Sequence, residues 1–315
     1  MAIPLWAWFA LAALVAVLIA IDLLVFGRGD HEVSIKDALL WSVIWTVLGV
    51  AFAGVILVWH DKAQAGEYLS GYLIERTLSM DNLFVFAVIF GYFAVPYGLQ
   101  PTILMYGIIG ALVLRLLFIL AGAALLDAFH WVIYVFGAFL IYTAYRLLNA
   151  HGETVEPEKN PVLKLIRSRM KVTDDYRGTK VFIRENGIRY ATPVLAVLAV
   201  VATTDVIFAI DSIPAIFAVT REPFIVFAAN AFALMGLRAL YFLLAGAMQR
   251  FEYLSHGLAL LLSLVGLKML LSGVFHPPVW VTLITITVVL GGAIAYSLWV
   301  TRPGAKHGPP PTAAA

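Results

Sequence analysis

The sequence predicts an all-α polytopic bundle of about nine membrane-spanning helices, folded as one domain. Three observations predict it. Hydrophobic residues fill 62% of the 315 positions and charged residues only 13%, a balance foreign to soluble globules. Apolar runs near the ~20 residues that cross a hydrocarbon core recur along most of the chain. The few acids inside those runs recur in a matched pattern, in "ERTLSMDNLF" at 75–84 and in "DVIFAIDSIP" at 205–214.

Taken in order, the runs place spans near 3–26, 39–59, 67–94, 102–124, 129–148, 191–219, 224–248, 256–273 and 279–300. The first lacks the basic start and small-residue cleavage site of a secretory signal and carries Asp22, so it is expected to persist as a helix. The connector at 149–190 holds nine bases, among them Lys164, Arg167, Arg169, Arg184 and Arg189. The positive-inside rule puts that loop in the cytoplasm, with the amino terminus outside and the carboxyl terminus inside. Six acids are mixed among its bases, which suits topology setting and lipid headgroups better than nucleic acid. Within it, "PVLKLIRSRM" reads as a short amphipathic helix, and "KVFIRENGIRY" as a hairpin turning at Asn186-Gly187. The tail at 301–315 is rich in Pro and Ala and reads as disordered. A net charge of +2 carries little meaning. The absence of cysteine excludes disulfides, thiolate metal sites and cysteine nucleophiles.

Laying the third span beside the sixth sets Glu75 on Asp205 and Asp81 on Asp211, each pair 130 positions apart. Arg115 and Arg238 follow in the fourth and seventh spans, and Arg146 and Lys268 near the ends of the fifth and eighth. The pattern is a three-helix repeat, about 67–148 and 191–273. Three is odd, so the second copy would cross the membrane in the opposite sense, bringing equivalent residues together near the bilayer centre.

An ionised carboxylate at a spanning helix's centre costs about 2.5–3.5 kcal/mol, so such acids need cations. Six residues of helix rotate the second acid roughly 120° from the first. Both helices are therefore expected to break or bend at the acid: at Pro214 after Asp211, and where Ser79, Asp81 and Asn82 compete for backbone hydrogen bonds. Carboxylate and carbonyl oxygen suit hard divalent ions, and Met80 would add a soft thioether. Arg115 and Arg238 are expected to balance the acid cluster when the ion is absent. A competing reading makes Glu75 and Asp205 structural counter-ions of those arginines, with nothing transported. Arg76 is expected to snorkel, Asp22 and Asp127 to lie near the interfaces, and Asn230 to bond between helices.

With these motifs, and "NAFALMGLRALYFLLAG" at 230–246, the chain resembles the TerC/Alx family of bacterial integral membrane proteins over residues 1–300. The resemblance implies a plasma-membrane protein of metal homeostasis, with manganese export as its activity and tellurium resistance as its historical label. It implies an ion site at Glu75, Asp81, Asn82, Asp205, Asp211 and Ser212. The expected function is secondary export of a divalent cation, Mn2+ first, by alternating access, with protons as coupling ion. No enzyme is expected: an intramembrane aspartyl protease needs Gly-x-Gly-Asp, and neither Asp81 nor Asp211 is so preceded. The alternative is a scaffold or sensor in metal or envelope stress. Nothing in the sequence indicates an oligomeric state.

Overall fold

The computed structural model describes residues 3–26, 35–149, 160–170, 172–173, 175–185, 188–244, 254–274 and 277–300. Eleven α-helices appear among them: α1 (Leu5–Phe26), α2 (Ile35–Trp59), α3 (Lys62–Tyr92), α4 (Gln100–Ala128), α5 (Val132–Asn149), α6 (Pro161–Arg169), α7 (Pro193–Phe217), α8 (Pro223–Met235), α9 (Leu237–Leu244), α10 (Leu254–Leu270) and α11 (Val279–Val300). Helix falls within each of the nine expected runs, in the seventh as the pair α8 and α9, with 245–248 outside the described residues. Among the described residues, six helical stretches are long and apolar enough to cross a membrane: Leu5–Leu24, Ile35–Trp59, Tyr97–Ala128, Pro193–Phe217, Pro223–Leu243 and Val279–Ser297. α3 is longer at 31 residues but carries Lys62, Glu67, Glu75, Arg76 and Asp81, while α5 and α10 are apolar and shorter. The 301–315 tail lies outside the described residues.

Local chemistry sets the helix ends. Asp61 caps α3 by accepting from the Gln64 amide at 2.8 Å. α3 stops where Ala94 takes a left-handed φ of 47°, ahead of Pro96. Proline stands in the first turn of α4, α6, α7 and α8, where its missing N–H costs nothing. The Asn160 side chain caps α6 through the amides of Val162 and Leu163. The expected hairpin forms from β1 (Phe182–Glu185) and β2 (Ile188–Ala191), antiparallel with Glu185 opposite Ile188. Its turn residues Asn186 and Gly187 lie outside the described residues.

The centre of the bundle is α8. Every residue from Phe224 to Met235 is buried, the signature of a helix apolar all round, and α1, α2, α3, α4 and α7 surround it. Leu5, Trp6, Phe9, Val58 and Val288 instead face outward, as a lipid-contacting surface requires. α5 runs along α10 so closely that a Cβ on Gly137 would stand 2.8 Å from the Gly266 carbonyl oxygen, and one on Gly266 2.7 Å from that of Gly137. Only glycine permits this approach.

Of the break or bend expected at each acid, the break does not occur. α3 runs unbroken through Ser79–Asn82 and α7 through Asp211. The polar side chains of α3 bond without disturbing its backbone ladder: Thr77 donates to the Leu73 carbonyl and Ser79 to Glu75. Pro214 sits in the last turn of α7, where the donor it lacks would have bonded the Ile210 carbonyl and the helix still runs on to Phe217. The discontinuity lies at Gly236, between α8 and α9.

Candidate functional site

Arg115 stands on α4, 0% exposed, and organises the interior. Its Nε and Nη2 donate to Asp205 Oδ2 and Oδ1 on α7 at 3.3 and 3.1 Å, the fork geometry that guanidinium and carboxylate share. Its Nη1 donates to Glu75 Oε1 on α3 and to Asn230 Oδ1 on α8 at 2.7 Å, with Ser212 Oγ of α7 at 3.4 Å. Four helices therefore meet on one cation. Helical spacing explains the choice of residues: Ser79 lies one turn beyond Glu75 and donates to its Oε1 at 3.1 Å. Ser212 lies seven residues beyond Asp205, two turns on, and so shares its face. Asn230 is held in turn by donating from Nδ2 to the Val226 carbonyl at 3.0 Å.

The charges in this cluster do not balance. Two carboxylates, 0% and 2% exposed, share one guanidinium, so with both ionised the site carries one surplus negative charge where no solvent screens it. Glu75 Oε2 is buried and makes no hydrogen bond. A carboxylate oxygen in that position calls for a proton or a cation.

Asp211 separates from this cluster. Asp211 points toward α5, where Thr143 donates to its Oδ1 at 3.1 Å and Arg146 acts on it electrostatically. One residue of rotation from Ser212 accounts for the divergence. Asn82 is buried on α3, and the Asp81 side chain lies outside the described residues. Among the described residues, no three His, Asp or Glu side chains are grouped to hold one metal ion. Glu75, Asp205 and Ser212 do converge, and the cation at their meeting point is Arg115.

Arg238 forms a buried ion pair with Asp22 of α1 at 2.7 Å, donates to the Asp22 carbonyl, and reaches the Pro101 carbonyl at 3.4 Å. Asp22, near the end of α1, is 1% exposed. Arg76 does not snorkel. It is buried, and its Nη1 donates at 2.8 Å to the Ala233 carbonyl, one of those left open where α8 ends. Its terminal nitrogens lie where a Cβ on Gly236 would stand. A guanidinium on the last carbonyls of a helix complements the negative end of the dipole. Arg76 thus stabilises the break. The sequence signal for this was the glycine in "ALMGLRAL" at 233–240, a helix-weakening residue inside an apolar run.

Comparison with known proteins decides the family. A model of the Integral membrane protein TerC family matches residues 60–305. The chain belongs to the TerC family. Relatives of this TerC-family chain cover nearly its whole length. One, named "Putative membrane-bound redox modulator Alx", from Escherichia coli K12, is 43% identical over 302 residues, spanning 93% of this chain and 94% of the relative. Another of that name, from Shigella flexneri, is also 43% identical over 302 residues, with the same shares covered. A third, "Uncharacterized membrane protein STKORF319" from Myxococcus xanthus, is 44% identical over 296 residues, spanning 94% and 92%. No solved structure matches.

Proposed function

We propose that this chain is a secondary exporter of a divalent metal cation, manganese being the first cargo to test, across the bacterial plasma membrane. The observation that carries the reading is the Glu75–Arg115–Asp205 cluster: acids from α3 and α7 meet deep in the bundle on one guanidinium, with one carboxyl oxygen unbonded. Intramembrane acids facing a bundle interior mark ion and proton pathways. Arg115 occupies the carboxylates in the conformation described, as an internal stand-in for the cargo. Cargo binding then requires the guanidinium to withdraw and further oxygens, from Asp81, Asn82 or Asp211, to swing in.

The packing supports an inverted repeat as the moving frame. Exchanging α3 with α7, α4 with α8 and α5 with α10 leaves the principal contacts unchanged: α3 on α8 becomes α7 on α4, and α5 on α10 maps to itself. Two such halves can rock about a shared site. Protonation of Glu75 as the ion leaves, and its release outward, would couple export to proton influx. The name carried by the Alx relatives suggests redox work, but a chain with no cysteine has no thiol to perform it.

One observation favours a second reading, a scaffold or sensor that moves nothing: Arg115 satisfies three carboxylate oxygens by itself. Uptake of Mn2+ into proteoliposomes of stated orientation separates the two. Export predicts uptake by the wild type that falls when the pH gradient is collapsed, and at least tenfold loss in Glu75→Gln and Asp205→Asn. Absence of wild-type uptake for every divalent ion in a panel would leave the scaffold.

A further inference from the structure

Where α3 ends and α7 begins, a cleft of about 990 Å³ opens beside α6. Two exposed arginines of α6, Arg167 and Arg169, line one side, and Tyr92, Phe93, Tyr176 and Tyr190 line the others. Among the described residues, no carboxylate contributes to its wall.

The walls are fixed from below. Tyr176 donates to the Phe93 carbonyl at 2.9 Å, and burial pushes its phenol up to about 12, so it remains a donor at neutral pH. Thr192, ahead of α7, donates to the Lys180 and Val181 carbonyls at 2.6 and 3.3 Å, tying the hairpin segment to the spanning helix. α6 buries Leu163 against the bundle and leaves Val162 and Leu165 exposed at 37% and 54%, beside Arg169 on the same flank. Apolar and cationic side chains together on an outward flank describe a helix lying in the headgroup region. Tyrosines at the ends of spanning helices mark the same level.

We propose that this cleft seats an anionic phospholipid of the leaflet adjoining the basic loop, its phosphate on Arg167 and Arg169. Its acyl chains run beside Phe93, Val162 and Leu165. Charge complementarity selects the headgroup. The aromatic and aliphatic flank selects a lipid over a soluble phosphate, which would satisfy the arginines and leave that flank without a partner.

The test uses the full chain, delipidated in neutral detergent and titrated with dihexanoyl phosphatidylglycerol, dihexanoyl phosphatidylcholine or inorganic phosphate. Thermal unfolding is the readout, with bound lipid counted by native mass spectrometry. Phosphatidylglycerol is expected to raise the midpoint saturably and to bind about thirtyfold less tightly to the Arg167→Gln/Arg169→Gln double variant. Both positions are exposed, so the double variant should unfold at the wild-type temperature without lipid. An equal rise with phosphatidylcholine, an equal rise with phosphate alone, or undiminished binding to the double variant would each overturn the proposal.

Discussion

Arg115 and Arg238 correspond in the repeat expected from the sequence, yet they have different partners. Arg115 gathers acids from α3 and α7 into one site at the middle of the bundle. Arg238 reaches out of the repeat, to Asp22 of α1 and the Pro101 carbonyl, and fastens a peripheral helix to the core. The difference follows from the backbone beneath them. α4 is a continuous helix of 29 residues that carries Arg115 mid-length, whereas the second copy breaks at Gly236, two residues before Arg238. Arg76 takes the space at that break. A pair of arginines matched in sequence has divided into one that organises charge and one that organises packing.

The largest effect is expected from Arg115→Met. Removing one partner of a buried ion pair costs about 3–5 kcal/mol, and here two carboxylates lose their cation together, so the variant should lie at the upper end. Thermal unfolding in detergent should show a fall far beyond that of Glu75→Gln. Adding Asp205→Asn to Arg115→Met should recover part of the loss. If Arg115→Met unfolds at the wild-type temperature, the cluster is not what holds α3, α4 and α7 together.

Much of this contrast was legible beforehand, and the part that was not has a physical cause. Spans are legible because the hydrocarbon core demands a minimum apolar length, and the hairpin because Asn-Gly at its centre matches the turn. The acids of α3 and α7 are legible through their common spacing. The partner of Arg238 is not, since Asp22 stands 216 positions away on a helix with no repeat counterpart, and no periodicity links them. The break at Gly236 was hidden for a related reason. Pro214 and the Ser79–Asn82 run are stronger breakers in isolation, but one falls in a last turn and the other bonds without opening the ladder. A weak breaker gained its effect from Arg76, supplied by a distant helix. Asp211 shows the same limit: six residues from Asp205 already set it on another face, toward Thr143.

A smaller effect is expected from Arg238→Met, which takes the guanidinium from Asp22. The loss should stay near the low end of the same range, about 3 kcal/mol. The double variant Asp22→Asn/Arg238→Met should recover part of it, with a coupling of about 1–3 kcal/mol in a double-mutant cycle. Under the export reading, that double variant keeps Mn2+ uptake within about twofold of wild type, whereas Glu75→Gln and Asp205→Asn do not. Uptake lost equally in all of them would erase the functional distinction between the two arginines and return Arg238 to the ion site.

Gly236→Ala should produce the smallest change and the sharpest information. A Cβ there would stand 2.7 Å from both terminal nitrogens of Arg76 and 2.9 Å from Trp45 Cβ. The guanidinium is the end of a flexible chain and can withdraw, while Trp45 Cβ is anchored to α2 and cannot move far. The expected cost is about 1–2 kcal/mol, from overpacking and from the Arg76 bond to the Ala233 carbonyl. Alanine also favours continuous helix over glycine by about 1 kcal/mol, which pushes α8 and α9 toward one rod and turns Arg238 away from Asp22. If the break sets the role of Arg238, its coupling to Asp22 should fall in the Gly236→Ala background. A coupling unchanged by that substitution would mean that α1 itself, rather than the broken helix, draws the second arginine out of the repeat.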